Sequence, residues 1–377
     1  MSGKARRKSA GAVEAAKREE AKWRAILGER ADAKPREMDE WEVLSLVCKL
    51  FCAGMLPTQI GKRVSRIRLG PKMTREEPYR LLARAAKLNR LRYEAPSEHV
   101  LQETLRDKRS WLEEVVVVST GVFAPMADHG AGMLLRILQK RARAGAEEVH
   151  VGLAGGHAVR KVCEAFARKL RENPPDLPKR LVFHAMSAGF DAGDPITAPM
   201  TYAAYFVDKA TMPVETSFVG VYAPTLVRRA EVDHMKSLEG IAESFERASQ
   251  LQVILTSASL WSDEHSLLRR HLASKAPETM KALLDSGCIG DLMWRSMGKD
   301  GPMAIPGEEM RALTIMELNA LPAFIKNGNQ VLLVLGPCGE CHTPKTEMLK
   351  TLLNLKEHLI THLVTDSFAA REAVKSL

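Results

Sequence analysis

Three stretches of the chain carry residues whose types and spacing suit chemistry. In Val149-His150-Val151-Gly152-Leu153-Ala154-Gly155-Gly156-His157-Ala158, an apolar strand ends in a glycine-rich turn that enters a helix. Such a turn lets backbone N–H groups approach an anion, and a helix N-terminus favours negative charge. Arg160 and Lys161 add cations nearby. A Gly-Gly pair after a strand is equally compatible with a plain tight turn, so a phosphate site and a structural turn both stand at this point.

The second stretch is Leu335-Gly336-Pro337-Cys338-Gly339-Glu340-Cys341-His342-Thr343-Pro344-Lys345. Cys338-x-x-Cys341-His342 has the form of a c-type haem attachment motif. Residues 1–38 lack the apolar core of a signal peptide, and the motif joins an apolar strand to a helix, so haem is not expected. Zinc would need a fourth ligand that no nearby spacing supplies. A redox dithiol is a further reading, because thiols near a helix N-terminus can be acidified. The remaining one is a loop whose backbone and Lys345 serve a ligand. Cys48 and Cys52, four apart on an apolar stripe, read as core residues.

The third stretch is basic. Lys62, Arg63, Arg66 and Arg68 lie on or just after one short helix, where phosphate contacts are expected. Thr74, Arg75, Arg80, Arg84 and Lys87 belong to the next, with Tyr79, Leu82 and Ala86 expected to pack inward. Thr74 and Arg75 stand at the helix start, the part that meets base edges in helix-turn-helix proteins. A charged helix face is often merely solvated; the density of charge here favours DNA.

The elements that position these residues follow from periodicity. Trp41, Leu44, Val47, Cys48 and Phe51 form an amphipathic stripe ending near Gly54. Pro57 suits the first turn of a second helix carrying Ile60 and Val64, and a turn at Gly70-Pro71 follows. Thr74 with Glu77 has capping-box spacing and opens a third helix. Beyond residue 97, seven apolar runs predict strands: Val115–Val118, Val149–Leu153, Leu181–Met186, Ser217–Tyr222, Val253–Thr256, Val331–Leu335 and His362–Thr365. Helical stretches at Leu134–Ala144, Ala158–Arg171, Met235–Ala248, Leu267–Leu284 and Lys345–Leu355 alternate with them. The pattern predicts a small all-α domain followed by an α/β domain with a mostly parallel sheet. A basic flexible or helical tail over 1–38, a DNA-binding module over 39–97 and an effector-binding domain over 98–377 are the expected divisions. In the tail, Lys4, Arg6, Arg7 and Lys8 would add non-specific phosphate contacts.

Composition narrows the class. The 377 residues are 45% hydrophobic and 27% charged, which suits globular cores. The longest apolar runs, such as Val331–Leu335, fall far short of the roughly 20 residues that span a bilayer, so no membrane insertion is expected. Six cysteines are too few for a disulfide scaffold, which agrees with a reducing, cytoplasmic setting. The net charge of +9 is unevenly spread. Met1–Pro96 holds 23 Lys and Arg against 12 Asp and Glu, whereas the remainder has 32 against 34. Ile60–Arg92 alone has 11 basic residues opposed only by Glu76 and Glu77. That segregation points to a polyanion.

At this point the chain resembles the SorC/DeoR-type sugar-binding transcriptional regulators of bacteria, over roughly residues 40–377. Ser286-Gly287-Cys288-Ile289-Gly290-Asp291 is similar to the family's Gly-x-Val-Gly-Asp stretch, and Lys299-Asp300-Gly301 to the turn that follows it. Leu313–Leu321 resembles the helix leading to the next strand, and Gly336–Leu353 the Gly-Gly-x-x-Lys segment. Val364-Thr365-Asp366-Ser367-Phe368-Ala369-Ala370 resembles the closing Thr-Asp-x-x-x-Ala, and Tyr222-Ala223-Pro224 the Ala-Pro after a central strand. Thr74–Pro96 is similar to the second half of the helix-turn-helix, with a strand-like Leu91-Arg92-Tyr93.

The resemblance implies an effector domain related to sugar-phosphate isomerases and deaminases, and homo-dimers or homo-tetramers on double-stranded operator DNA. It places a sugar or sugar-phosphate effector against Gly155, Gly156, His157, Ala158, Asp291 and Lys345. Three departures stand out. His157 and Ala158 replace a hydroxyl residue, though a histidine can also donate to phosphate. Gly336-Pro337-Cys338 replaces Gly-Gly, and Leu69–Met73 lengthens the turn between the DNA-binding helices. The leading expectation is an effector-controlled DNA-binding regulator that is not an enzyme and needs no cofactor or resident metal. Two alternatives are a sugar-phosphate isomerase or deaminase, and a regulator sensing redox state or metal through Cys338 and Cys341. The strand Val253–Thr256 continues as Ser257-Ala258-Ser259-Leu260-Trp261 with no acid before Asp263, which weakens the enzyme reading.

Overall fold

Strands made of unbroken Val, Leu and Ile must be covered on both faces, and helices between them supply the cover. The computed structural model describes residues 35–52, 55–88, 95–188, 194–208, 210–303 and 310–377. The expectations for Lys4, Arg6, Arg7, Lys8, Gly54 and Leu91-Arg92-Tyr93 lie outside the described residues. The chain divides into two compact units, Met1–Tyr93 and Glu94–Leu377.

In the smaller unit, α1 (Glu40–Cys52), α2 (Pro57–Ile67) and α3 (Glu77–Lys87) pack on one another. Their core is Val43, Leu46, Val47, Leu50, Met55, Ile60 and Val64. The expected stripe on α1 was wrong in phase at its ends: Leu44 and Val47 are buried, but Trp41 and Phe51 are exposed. Cys48 is only half-buried and Cys52 is exposed, so neither is a core residue. On α3 the inward face also turns away from the expected one. Pro78 and Ala85 are buried and Leu81 and Leu82 pack on the core, while Tyr79 and Ala86 face solvent. Thr74 and Glu77 form the reciprocal pair their spacing predicts, with Glu77 N–H to Thr74 Oγ1 at 3.3 Å and Thr74 N–H to Glu77 Oε2 at 3.4 Å. The lengthened connection is tied to α2 by Ser65, whose Oγ accepts from Met73 N–H at 2.9 Å and donates to Gly61 O at 2.7 Å.

Among the described residues the larger unit holds thirteen strands: β1 (Glu114–Val118), β2 (Glu148–Leu153), β3 (Arg180–Ala185), β4 (Glu215–Val219), β5 (Leu226–Arg228), β6 (Val253–Thr256), β7 (Ala258–Leu260), β8 (Cys288–Leu292), β9 (Arg295–Gly298), β10 (Gly301–Pro302), β11 (Met310–Ala312), β12 (Gln330–Leu335) and β13 (His362–Asp366). A seven-stranded sheet runs β1-β13-β12-β6-β2-β3-β4 with every neighbour parallel. Its strands are the seven expected ones; only β4 differs by more than a residue, ending at Val219 rather than Tyr222. Strands β7 to β10 form a small antiparallel sheet, and β5 pairs with β11.

Helices α4 (His99–Lys108), α5 (Ala124–Arg143), α6 (His157–Arg171), α7 (Val232–Ser237), α8 (Ala242–Glu246), α9 (Leu267–Lys275), α10 (Pro277–Asp285), α11 (Leu321–Lys326), α12 (Thr346–Asn354) and α13 (Ser367–Val374) complete the unit. Helices α5 and α6 pack together against the strands, and α12 packs on α13, which meets α4. Two expected helices are broken. Met235–Ala248 is interrupted at Gly240, whose φ is 77°. Leu267–Leu284 splits before Pro277, because Ala276 preceding the proline leaves the helical region (φ −147°, ψ 60°). The helix expected at Leu313–Leu321 begins only at Leu321. Among the described residues, no helix is long and apolar enough to cross a membrane.

The sheet order fixes where a ligand can sit. From β6, the chain continues outward on one side through β12 and β13, and β2 leads to β3 and β4 on the other. The reversal lies between β2 and β6, and crevices at strand C-termini beside such a switch are where open α/β sheets bind ligands.

Candidate functional site

Three loops leave the C-terminal ends of the adjacent strands β2, β6 and β12, and together they wall a cavity of about 590 Å³. The first loop is the glycine-rich turn. Gly156 sits at φ 118° and ψ 161°, a region almost confined to glycine, and α6 starts at His157. The first intrahelical bond to Gly156 O comes from Arg160 N–H at 3.1 Å. The N–H groups of residues 157–159 therefore precede the helical ladder. Gly156 itself is not among the donors on offer, since its N–H is committed to Thr197 O at 2.8 Å. Arg160 and Lys161 line the same wall, half-buried.

His157 also lines the cavity, with one of its ring nitrogens already engaged. Its Nε2 lies 2.9 Å from Asp194 Oδ2, and burial, opposed by that aspartate, lowers its pKa below the usual value. A neutral ring that donates from Nε2 to a carboxylate keeps a lone pair on Nδ1. Near neutral pH it offers an acceptor, suited to a hydroxyl rather than a phosphate oxygen.

The second loop carries the polar floor. Strand β8 crosses close to β7, where a Cβ at Gly290 would collide with the Ser259 carbonyl; only glycine permits the approach. Asp291 is thereby set opposite Ser259 in the register. One oxygen, Oδ2, accepts from Ser259 Oγ, from Trp261 Nε1 at 3.2 Å and from Ser266 Oγ at 3.5 Å. Burial pushes the Asp291 carboxyl upward against these hydrogen bonds and the nearby Lys345. Lys345 precedes α12, with its ammonium drawn in against Ala258 O at 2.8 Å. Burial pulls its pKa below the ordinary lysine value. The hydroxyl of Ser257, on the same wall, is buried without a protein partner.

The third loop, 336–345, adds Pro337, Cys338, Gly339 and Glu340 to the lining. Cys338 N–H donates to Thr343 O at 3.0 Å and His342 N–H to Cys338 O at 3.1 Å, which folds Cys338–Thr343 on itself. Burial raises the Cys338 thiol to about 11, whereas hydrogen bonding to Thr343 lowers that of the exposed Cys341. The two cysteines do not stand alone. Asp263 and His265, from the loop after β7, come together with them, and the donor atoms of all four lie within 4.8 Å of one another. Sequence spacing does not reveal that pair, because more than seventy positions separate the two loops.

All six residues expected to bind an effector line this one cavity: Gly155, Gly156, His157, Ala158, Asp291 and Lys345. Asp194, Ser257, Ser259, Ser266 and Trp294 were not anticipated. No motif marks them; they follow from strand order alone.

The residues expected to meet DNA differ in exposure within the smaller unit. Lys62, Arg66, Thr74, Arg75 and Arg80 are exposed. Arg63 is half-buried. Arg84 is committed within the unit, paired with Glu40 and set over the Trp41 ring at 5.7 Å, and Arg68 meets Glu77 at 3.4 Å. Tyr79 joins the exposed face instead of the core.

No family model and no curated protein matches the chain. Solved structures do. The full-length sorbitol operon regulator SorC from Klebsiella pneumoniae covers 90% of this chain and 100% of its own, at 16% identity and a TM-score of 0.57. A DeoR family transcriptional regulator from Listeria monocytogenes covers 73% of this chain and 98% of its own, at 19% identity and a TM-score of 0.52. The proposed sugar-binding domain of a transcriptional repressor from Vibrio fischeri covers 74% and 99%, at 15% identity and a TM-score of 0.54. The structural neighbours are thus bacterial regulators of the SorC/DeoR type. With full-length SorC the chain shares N-terminal helices followed by an α/β unit with a seven-stranded parallel sheet.

Proposed function

We propose that the protein is a DNA-binding transcriptional regulator whose affinity for DNA is set by a small sugar or sugar phosphate held over β2, β6 and β12. One observation carries the reading: a single chain pairs a strongly basic three-helix unit with an α/β unit whose cavity opposes anion-binding and hydroxyl-binding groups. The start of α6, with Arg160, Lys161 and Lys345, suits a phosphate. Asp291, His157 and Ser257 suit sugar hydroxyls. The fold shared with SorC supports it. Exposed Lys62, Arg66, Arg75 and Arg80 would meet DNA phosphates, with Thr74 and Tyr79 at the base edges. In this reading residues 1–38 act as a basic arm, 39–97 as the DNA-binding module and 98–377 as the sensor. The protein works in the cytoplasm as a homo-dimer or homo-tetramer and catalyses no reaction.

The site is tested by a thermal-shift screen of sugars and sugar phosphates. A ligand at about 100 times its dissociation constant adds roughly 2.7 kcal/mol of stability. A sugar phosphate that stabilises the wild type but not Lys345→Met supports the reading, and a panel in which none stabilises the protein counts against it.

A further inference from the structure

The loop after β7 and the loop after β12 bring Asp263, His265, Cys338 and Cys341 together, with one donor atom from each inside a 4.8 Å span. Sulfur, imidazole nitrogen and carboxylate oxygen are the donors zinc takes, usually four in a tetrahedron. Bond lengths of about 2.0–2.3 Å put tetrahedral donors roughly 3.3–3.8 Å apart, so the group needs to contract by only about 1 Å. Cys341 Sγ already lies 3.5 Å from Asp263 Oδ1, and His265 Nδ1 lies 3.1 Å from the same oxygen.

Three of the four donors are braced. Asp263 is buried, and its Oδ1 accepts from His265 N–H at 2.9 Å, fixing the carboxylate and the backbone that carries the imidazole. Thr343 Oγ1 lies 3.0 Å from Cys341 Sγ. A divalent ion bound here would displace the thiol protons, and the resulting thiolates and the carboxylate would then surround a cation that offsets their charge. Charge also balances: two thiolates, one carboxylate and a divalent ion leave one negative charge, and the Lys345 ammonium acts on Cys338, Cys341 and Asp263 from the same wall.

We propose that Asp263, His265, Cys338 and Cys341 form a site for a thiophilic divalent cation, zinc by donor chemistry, on the wall of the effector cavity. Asp263, His265 and Cys338 line that cavity, so a bound ion stands within reach of its ligand. The assignment does not depend on the ligand being a sugar or on DNA binding.

The test uses the full chain, stripped with chelator, kept reduced by a non-thiol reductant and titrated with Co²⁺ and then Zn²⁺, without DNA or sugar. The expected result is one Co²⁺ per chain, thiolate-to-cobalt charge-transfer absorption with intense tetrahedral d–d bands, and full displacement by Zn²⁺. Cys341→Ser should weaken the charge-transfer band. Asp263→Ala and His265→Ala should each weaken binding at least about tenfold. His342→Ala, which alters a histidine outside the group of four, should bind as the wild type does. Circular dichroism melts of each apo variant report whether it is folded, and Cys341 and His265 are not buried, so their replacement leaves the core intact. Absence of thiolate-to-cobalt absorption in the folded wild type would overturn the proposal. So would undiminished binding by Asp263→Ala and His265→Ala, which would reduce the site to an unsupported dithiol.

Discussion

The basic face of the three-helix unit makes a numerical prediction. Of its exposed cations, Lys62, Arg66, Arg75 and Arg80 are the four assigned to DNA phosphates, whereas Arg84 is held by Glu40 and Trp41. Each phosphate neutralised on B-DNA contributes about −0.9 to the slope of log K against log salt, so four cations give about −3.6 per module. Between 50 and 200 mM salt that corresponds to a loss of roughly 150-fold per module. Arg75→Ala with Arg80→Ala should bring the slope to about −1.8 per module, and the loss over the same range to roughly tenfold. Arg84→Ala should leave the slope near the wild-type value while loosening α1 against α3. Fluorescence anisotropy of a labelled duplex across a salt series measures all three. A double variant with an undiminished slope would refute the assignment, as would an Arg84→Ala variant with an equal drop.

Other perturbations test the larger unit and the caps. Gly156→Ala forces a side chain into φ 118°, ψ 161° and should cost about 1–3 kcal/mol, read as a lower melting temperature and loss of any sugar-phosphate stabilisation. His184 is buried with its Nε2 2.8 Å from His150 Nδ1, and burial lowers its pKa to about 4. Because the unfolded chain binds this proton near pH 6.5 and the native one does not, its contribution is intact above pH 6.5 and is lost as pH falls towards 4, by up to about 3 kcal/mol. His184→Gln should flatten urea-melt stability over that window; an unchanged pH profile would contradict it. Asp291 has the opposite sign. Its carboxyl is raised by burial, so the native state holds its proton longer and stability falls as pH climbs through the range above an ordinary aspartate. Asp291→Asn should remove that decline in the ligand-free protein. Thr74→Ala removes one half of the reciprocal pair with Glu77 and should destabilise the smaller unit by about 1 kcal/mol in thermal melts.

The seven sheet strands were legible because unbroken β-branched and leucine runs have few other destinations in a soluble fold. The small sheet was not: β9 and β10 are Arg-Ser-Met-Gly and Gly-Pro, and pairing rather than propensity makes them strands. Helix phase failed by about one position on α1 and α3, since Trp41 stacks under an arginine on the surface and Tyr79 faces solvent. Sequence similarity located Gly155, Gly156, Asp291 and Lys345, and the fold brings them to one cavity. It could not reveal that His157 is paired with Asp194, nor that Asp263 and His265 meet the two cysteines. Those contacts depend on the neighbours β2-β3 for the first and β12-β6 for the second, which no local pattern encodes.

Coupling between the cavity and the DNA-binding face is tested by one titration. Take a duplex selected by the protein from a random pool, and the sugar phosphate identified by thermal shift. The dissociation constant for DNA is then measured with and without saturating ligand at fixed salt. The expected change is about 5- to 150-fold, the range of ordinary allosteric coupling, and it should be lost in Lys345→Met. Identical DNA affinity with and without bound ligand would contradict the coupling.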